Sequence, residues 1–549
     1  MKSFWRPGVV CLLLAAARAQ DTRKVTEPVI PRVCATLKAE LIAPQGIHAE
    51  DESKLDTARL QQGLDGCGEG HALELAADGE HDAFLTGPIE MRQGVTLLVD
   101  KGVTMYGSRN PADYELAPGS CGINDSKTGC KALITGRGVR GAGIMGDGVI
   151  DGRGGSKIIV GGKEQGKTWW DLGHAAKTGL HQQVPRLIVM DRSDDFTLYR
   201  ITLNNSPNFH VVPSGIDGLT VWSVKVQTPT LAAFANPAGN GNPLYNGQTF
   251  NADNVKNTDA FDPGSASRPI SAALSTGSTT ASASPVSFDG YLKNVVFAYN
   301  YVSTGDDDIA LKGGNNPSPA GSQLPGIDGN RDVRADRKWG IAIAHNHIYW
   351  GHGISIGSET NGGVTNVQVY DNSFQDSEEG LRIKSDYARG GEVSQIHYAN
   401  ICIRDAKNAL LFTPYYSTKA VPAGGPLYPN FHDISLANVA IFGEAGVKLQ
   451  GFEANTGGYG EPAFPLAMTL TDVVADSPDS ISVIASDANL TLHNVNLPIF
   501  ASTANRVVVD GTATHNARPA NVVDCSKAFV DFPGIDQSNP FGTTWAPSL

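Results

Sequence analysis

The sequence predicts an all-β chain coiled as a solenoid, and three observations carry that expectation. Short apolar strand runs succeed one another, in VTLLVD at 95, LIVMD at 187, FTLYRITLNNS at 196, LTVWSVKVQT at 219, VVFAYNYVST at 295, IAIAHNHIYW at 341 and VQVYDNSF at 367, while helical periodicity nearly vanishes. The runs also repeat. Ile309 in DDDIALKG, Ile354 in GHGISIGS, Leu381 in EEGLRIKS and Leu410 in KNALLFT align at spacings of 45, 27 and 29 residues. In that register Asn300, Asn346, Asn372 and Asn400 each fall eight to ten positions earlier. Periods in the twenties and above with variable insertions suit stacked coils, with aliphatics inward and Asn hydrogen-bonding backbone at a coil corner. Finally, hairpin signals of the Asn-Gly kind are scarce between the runs, which counts against a large antiparallel sandwich.

Taken in order, residues 1–19 read as a targeting segment. Lys2 and Arg6 precede the apolar run Val9 to Ala17, and Ala17-Arg18-Ala19 is an A-x-A cleavage signature. That run is shorter than the roughly 20 apolar residues a bilayer span takes, and no later stretch is apolar enough. The expectation is export, in a secreted or periplasmic setting, with no membrane partner. Residues 20–549 read as a single domain. Its first part, 20–90, is expected to cap the open end of the solenoid. That cap holds a short helix over 56–66 with Asp56 as N-cap and Leu60 and Leu64 on one face. Residues 264–287, GSASRPISAALSTGSTTASASPVS, are a low-complexity loop inserted between coils.

Composition narrows the partners. The net charge of −13 argues against nucleic acid, whose binders carry a basic face. Removing Cys11 with the targeting segment leaves six cysteines for an oxidising compartment. Cys121 and Cys130, which enclose the polar loop GINDSKTG, are the expected pair. No CxxC pair or His-rich cluster suggests zinc, and neither metal nor cofactor is expected. The chain is expected to act as a monomer.

The chemistry concentrates on a few neighbouring coils. Asp307 lies two residues before Ile309 and His352 two before Ile354, so they occupy equivalent positions on different coils. Adjacent coils are about 4.8 Å apart. Arg382 and Lys384 flank Ile383, and strand alternation points both away from it. Asp259, in NTDAFDP, becomes a neighbour of Asp306 if the insertion loops out. Carboxylates, an imidazole and two cations would then share one face. Hydrolysis of a glycosidic bond needs a protonated carboxyl to protonate the leaving oxygen and a second carboxylate to activate water. Crowded aspartates supply both, because repulsion holds one proton on. Each piece alone has a plainer reading. GDDD can be a solvated or calcium-binding turn, the His structural, the RIK triplet an ordinary strand edge, and Asp259 a turn residue.

NTDAFDP at 257, GDDDIALK at 305, GHGISIGS at 351 and RIK at 382 together resemble the four signature segments of the polygalacturonases, glycoside hydrolase family 28, in the family's order. Weaker likeness extends through FLTGPIEMRQGVTLLVDKGVTMYGS at 84, GDGVIDGRG at 146 and NNSPNFHV at 204, so that it covers most of residues 55 to 415. The resemblance implies a right-handed parallel β-helix that hydrolyses α-1,4 links between galacturonates of pectin with inversion. Asp306 matches the general acid, Asp259 and Asp307 the carboxylates that activate water, and His352 the residue tuning the acid. Arg382 and Lys384 match the side chains that hold substrate carboxylates. Asp308 sits where family members vary and receives no role. Ala260 stands where Gly is usual, and either Tyr415 or Tyr416 corresponds to a substrate-stacking tyrosine. Endo action is expected. The alternatives are an exo-acting polygalacturonase, a rhamnogalacturonan hydrolase, a pectate lyase and a non-catalytic carbohydrate-binding solenoid.

Overall fold

The computed structural model describes residues 26–177, 179–230, 255, 257–268, 289–314, 327–328, 340–417, 428–456, 460, 462–513 and 522–533. The targeting segment lies outside them, as do residues 269–287 of the predicted insertion.

Successive coils pair in parallel through two long ladders, giving the right-handed parallel β-helix the sequence predicts. One ladder holds 24 strands. The other begins with four strands, Ile89–Glu90, Ile134–Arg137, Ile188–Asp191 and Val211–Ser214, and continues with six from Ile309–Leu311 to Ile481–Ser486. Bridges from Val211 to Phe261 and from Phe261 to Ile309 join the two parts into one run of rungs. The predicted register holds: Ile309 pairs with Ile354, Ile354 with Leu381, and Leu381 with Leu410. All four point inward and are fully buried. Alternation along each strand places the intervening residues on the outer face.

The long ladder bends at a column of residues with left-handed backbone, among them Ser223, Tyr299, His345, Asp371 and Asn400 (φ 53° to 60°). Next to this bend the predicted asparagines stack. Asn300 Nδ2 donates to Asn346 Oδ1 at 2.8 Å, and Asn346 Nδ2 to Asn372 Oδ1 at 2.9 Å. Each amide also donates to the backbone of the preceding strand. Asn400 does not join them. Ser373 pairs with Cys402, so Asn400 is level with Asp371 and lies at the left-handed turn one residue earlier.

At the N-terminal end the helix Thr57–Gly66 buries Leu60 and Leu64 as predicted. Asp56 makes no side-chain cap; its Oδ2 accepts from Leu85 N–H at 3.0 Å and its Oδ1 pairs with Arg59. The strand His71–Ala76 already pairs with Val95–Val99, so the stacked coils begin within the 20–90 stretch. A second helix, Trp169–Lys177, buries Trp169, Trp170 and Leu172, and the sequence reading missed it. The insertion leaves and rejoins the solenoid as an antiparallel ribbon, Ala266–Arg268 against Asp289–Tyr291. Three disulfides, Cys34–Cys67, Cys121–Cys130 and Cys402–Cys525, use all six remaining cysteines.

Candidate active site

The second ladder brings the predicted residues together by register alone. Leu187 N–H donates to Phe209 O, His210 N–H to Asp259 O, Ala260 N–H to Asp307 O, and Asp308 N–H to Gly353 O. These bonds stack Arg186, Phe209, Asp259 and Asp307 in one column, each two residues before an inward apolar residue, Ile188, Val211, Phe261 and Ile309. His352 and Glu379 hold the same place before Ile354 and Leu381. Outward positions one and three residues past that apolar residue form two further columns. Asp262, Ser355 and Arg382 stand in one, Lys312 and Lys384 in the other.

A cleft of about 430 Å³ opens on these columns, lined by Asp259, Asp262, Asp306, Asp307, Lys312 and Lys384 among others. Asp307, buried at its centre, meets the cations. Lys384 Nζ donates to Oδ2 at 2.7 Å and Oδ1 at 3.0 Å, Arg382 Nη1 to Oδ1 at 3.3 Å, and Lys312 Nζ to Oδ2 at 3.3 Å. Ser355 Oγ adds a bond to Oδ1 at 2.9 Å. Burial alone would raise the Asp307 carboxyl, but Lys384, Lys312 and Arg382 outweigh it and hold the group ionised.

Asp306 accepts from Asn257 N–H at 2.9 Å and lies 3.2 Å from His352 Nδ1. The other ring nitrogen of His352 is 2.8 Å from Glu378 Oε2. Burial would discharge this imidazole, yet the Asp306 charge and bond, with the Glu378 bond, raise it well above its ordinary value. Asp306 is in turn held well below the carboxylate range, burial being outweighed by His352, Lys384 and Asn257 N–H. The sequence reading placed the retained proton within the crowded GDDD run. Within that run Asp308 alone is shifted upward; at the cleft the upward shifts fall on His352, Asp259 and Asp262, burial being the first cause for the two aspartates. Asp259 is also raised by Asp262 and Asp306, and Asp262 is pushed up to about 7.

Asp308 points away from the cleft, as strand alternation predicts. Its buried carboxyl accepts from Gly353 N–H at 2.8 Å, and burial raises it well above its ordinary value. Of the two tyrosines, Tyr416 faces the cleft. Lys384 Nζ lies 5.0 Å and the Arg382 guanidinium 5.6 Å from its ring centroid. Tyr415 instead stacks on Phe452 and accepts from Glu453 N–H. Oxygens of Asp259, Asp262 and Asp307 lie within 4.8 Å of one another, a spacing that could hold a cation. Lys312 Nζ, 3.3 to 3.9 Å from all three, supplies positive charge there.

Lys312, Asp262, Glu359, Glu378 and Arg389 escaped the sequence reading. The signal for Lys312 was the alternation already applied to Arg382 and Lys384, since Ala310 and Lys312 flank Leu311 on the outer face. Asp262 follows the inward Phe261 by the same rule. Glu359, 3.2 Å from Arg389, is ionised because Lys312 and Arg389 outweigh its burial. Nothing local in the sequence marks that pair.

A parallel β-helix whose cleft gathers three aspartates, a histidine-coupled carboxylate and paired cations defines a glycoside hydrolase of the pectinolytic kind. The Glycosyl hydrolases family 28 profile matches residues 67–273 and 288–445, and the chain belongs to that family. It is 37% identical to a polygalacturonase of Ralstonia nicotianae across 94% of this chain and 93% of that one. It is 34% identical to an endo-polygalacturonase of Pectobacterium carotovorum subsp. carotovorum across 81% and 90%. The solved polygalacturonase from Erwinia carotovora ssp. carotovora superposes with a TM-score of 0.63, at 32% identity, covering 86% of this chain and all of the other.

Proposed function

We propose that this enzyme is an exported, monomeric, endo-acting polygalacturonase that cleaves α-1,4 galacturonosyl links by hydrolysis with inversion. The observation that carries the reading is Asp307, ionised among Lys384, Arg382 and Lys312, one rung from Asp259 and beside the Asp306–His352 pair. Family membership and the endo-polygalacturonase relatives support it. Export rests on residues 1–19, and three disulfides suit an oxidising compartment.

Asp306 is the general acid. Its carboxyl is held ionised 3.2 Å from His352 Nδ1, and that contact raises the imidazole, which keeps the proton. A substrate carboxylate and lost water both favour the neutral acid, so binding moves the proton from Nδ1 to Asp306. The acid then protonates the glycosidic oxygen as its bond to the anomeric carbon breaks. Water attacks that carbon from the opposite side and gives its proton to Asp307, with Asp259 orienting the water. Lys384 and Arg382, beside the Tyr416 ring, hold the sugar carboxylates, Arg by its planar fork and Lys as a point charge.

Digestion of de-esterified polygalacturonate tests the reading, following reducing ends, ultraviolet absorbance and product sizes together. Reducing ends should rise without absorbance, and early products should be mixed oligomers. Absorbance abolished by calcium chelation would make the enzyme a lyase, and monomer or dimer alone would make it exo-acting.

A further inference from the structure

Two rungs beyond Asp259 the same column carries Arg186, about 10 Å along the ladder at the ordinary strand spacing. Its side chain is exposed, and it lines the catalytic cleft. It also lines a second groove of about 1250 Å³ that runs over the preceding coils past Lys131, and Asn257 likewise lines both. The guanidinium lies 5.1 Å from the Phe209 ring centroid, one rung nearer the aspartates. Among the described residues it makes no ion pair, although the charges of Asp262 and Asp259 reach it. The other cleft cations differ. Lys312, Lys384, Arg382 and Arg389 all pair with acids.

We propose that Arg186 is a specificity-determining residue that binds the carboxylate of a uronate unit away from the scissile bond, so that the binding surface extends across the Phe209 rung into the second groove. The proposal rests on the polygalacturonase reading. A planar fork held on an aromatic face suits bidentate carboxylate recognition. A binding cation in an acidic chain acts by local contact, because the net charge of −13 gives no long-range attraction to a polyanion.

The test compares kcat and KM of the wild type, Arg186→Gln and Arg186→Lys on galacturonate oligomers from dimer to hexamer and on the polymer. Thermal unfolding is measured alongside. Arg186→Gln should raise KM roughly tenfold on the longer substrates, the scale of one charged hydrogen bond. It should leave kcat and the shortest cleavable oligomer unchanged, and Arg186→Lys should recover part of the loss. No change on any substrate overturns the proposal. So does an equal loss at every length, which would make Arg186 a structural or electrostatic neighbour of the aspartates and not a subsite for a distant uronate. If the wild type fails to hydrolyse polygalacturonate, the underlying reading falls instead.

Discussion

At the corner of the long ladder, Asn300, Asn346 and Asn372 stack like on like, and each amide satisfies the next and a backbone carbonyl. Along the second ladder the same spacing stacks unlike on unlike: arginine, phenylalanine, two aspartates and a histidine. Both columns follow from the parallel register. The first closes its hydrogen bonds within itself and resists change. The second leaves charge pointing into a cleft, partly answered by lysines and partly unanswered. Among the described residues Asp259 Oδ1 and Asp262 Oδ1 have no hydrogen-bond partner. Repetition in a solenoid builds stability where the stacked side chains match, and chemistry where they do not.

Breaking the second column should have the largest effect on activity. Asp306→Asn removes the acid while keeping its shape, and kcat should fall about 10²–10⁴-fold with thermal unfolding little changed. Lys384→Ala should raise KM on the order of tenfold and also lower kcat, because the same ammonium holds Asp307 at 2.7 Å. Breaking the first column should act on stability alone. Asn346→Ala strands buried partners on both neighbouring coils at about 1–3 kcal/mol each, so the Tm should drop by several degrees while kcat of the folded enzyme holds.

Two smaller effects sharpen the contrast. Asp262 adds to the upward shift of Asp259, so Asp262→Asn should lower the Asp259 pKa and move the acid limb of kcat/KM to lower pH. An unmoved limb would mean the two carboxyls do not communicate. Asp308 has a folded pKa above its unfolded one, so the folded state binds the extra proton. Its contribution to stability is complete below the unfolded pKa and is lost as pH rises through the folded one. Asp308→Asn should therefore leave activity near wild type and stability equal or slightly higher at neutral pH, read from Tm against pH.

The solenoid was legible because its repeat is local. Aligning Ile309, Ile354, Leu381 and Leu410 predicted pairings that the ladder shows, and with them the placement of Asp307 and His352. The parity that exposed Arg382 and Lys384 also held Lys312 and Asp262, and the position two before an inward aliphatic held Glu379 and Arg186. Asn400 was misplaced because identity was matched in place of register: the strand Gly391–Arg404 runs unbroken through that turn. The helix at Trp169 is nine residues long, too short for its periodicity to stand out. The protonation of Asp306 lay beyond the sequence, since it turns on a 3.2 Å approach by His352 that register permits and side-chain packing sets.

The central claim is that stacked rungs bring Asp259, Asp306 and Asp307 to one glycosidic bond. A crystal structure of the Asp306→Asn variant with a galacturonate hexamer addresses it most directly. The account predicts the oligomer lying across the rungs, with a bridging oxygen within hydrogen-bond reach of residue 306 and a uronate carboxylate on Lys384 and Arg382. An oligomer seated on the asparagine-bearing ladder, or one whose bridging oxygens all lie beyond reach of residue 306, would contradict it.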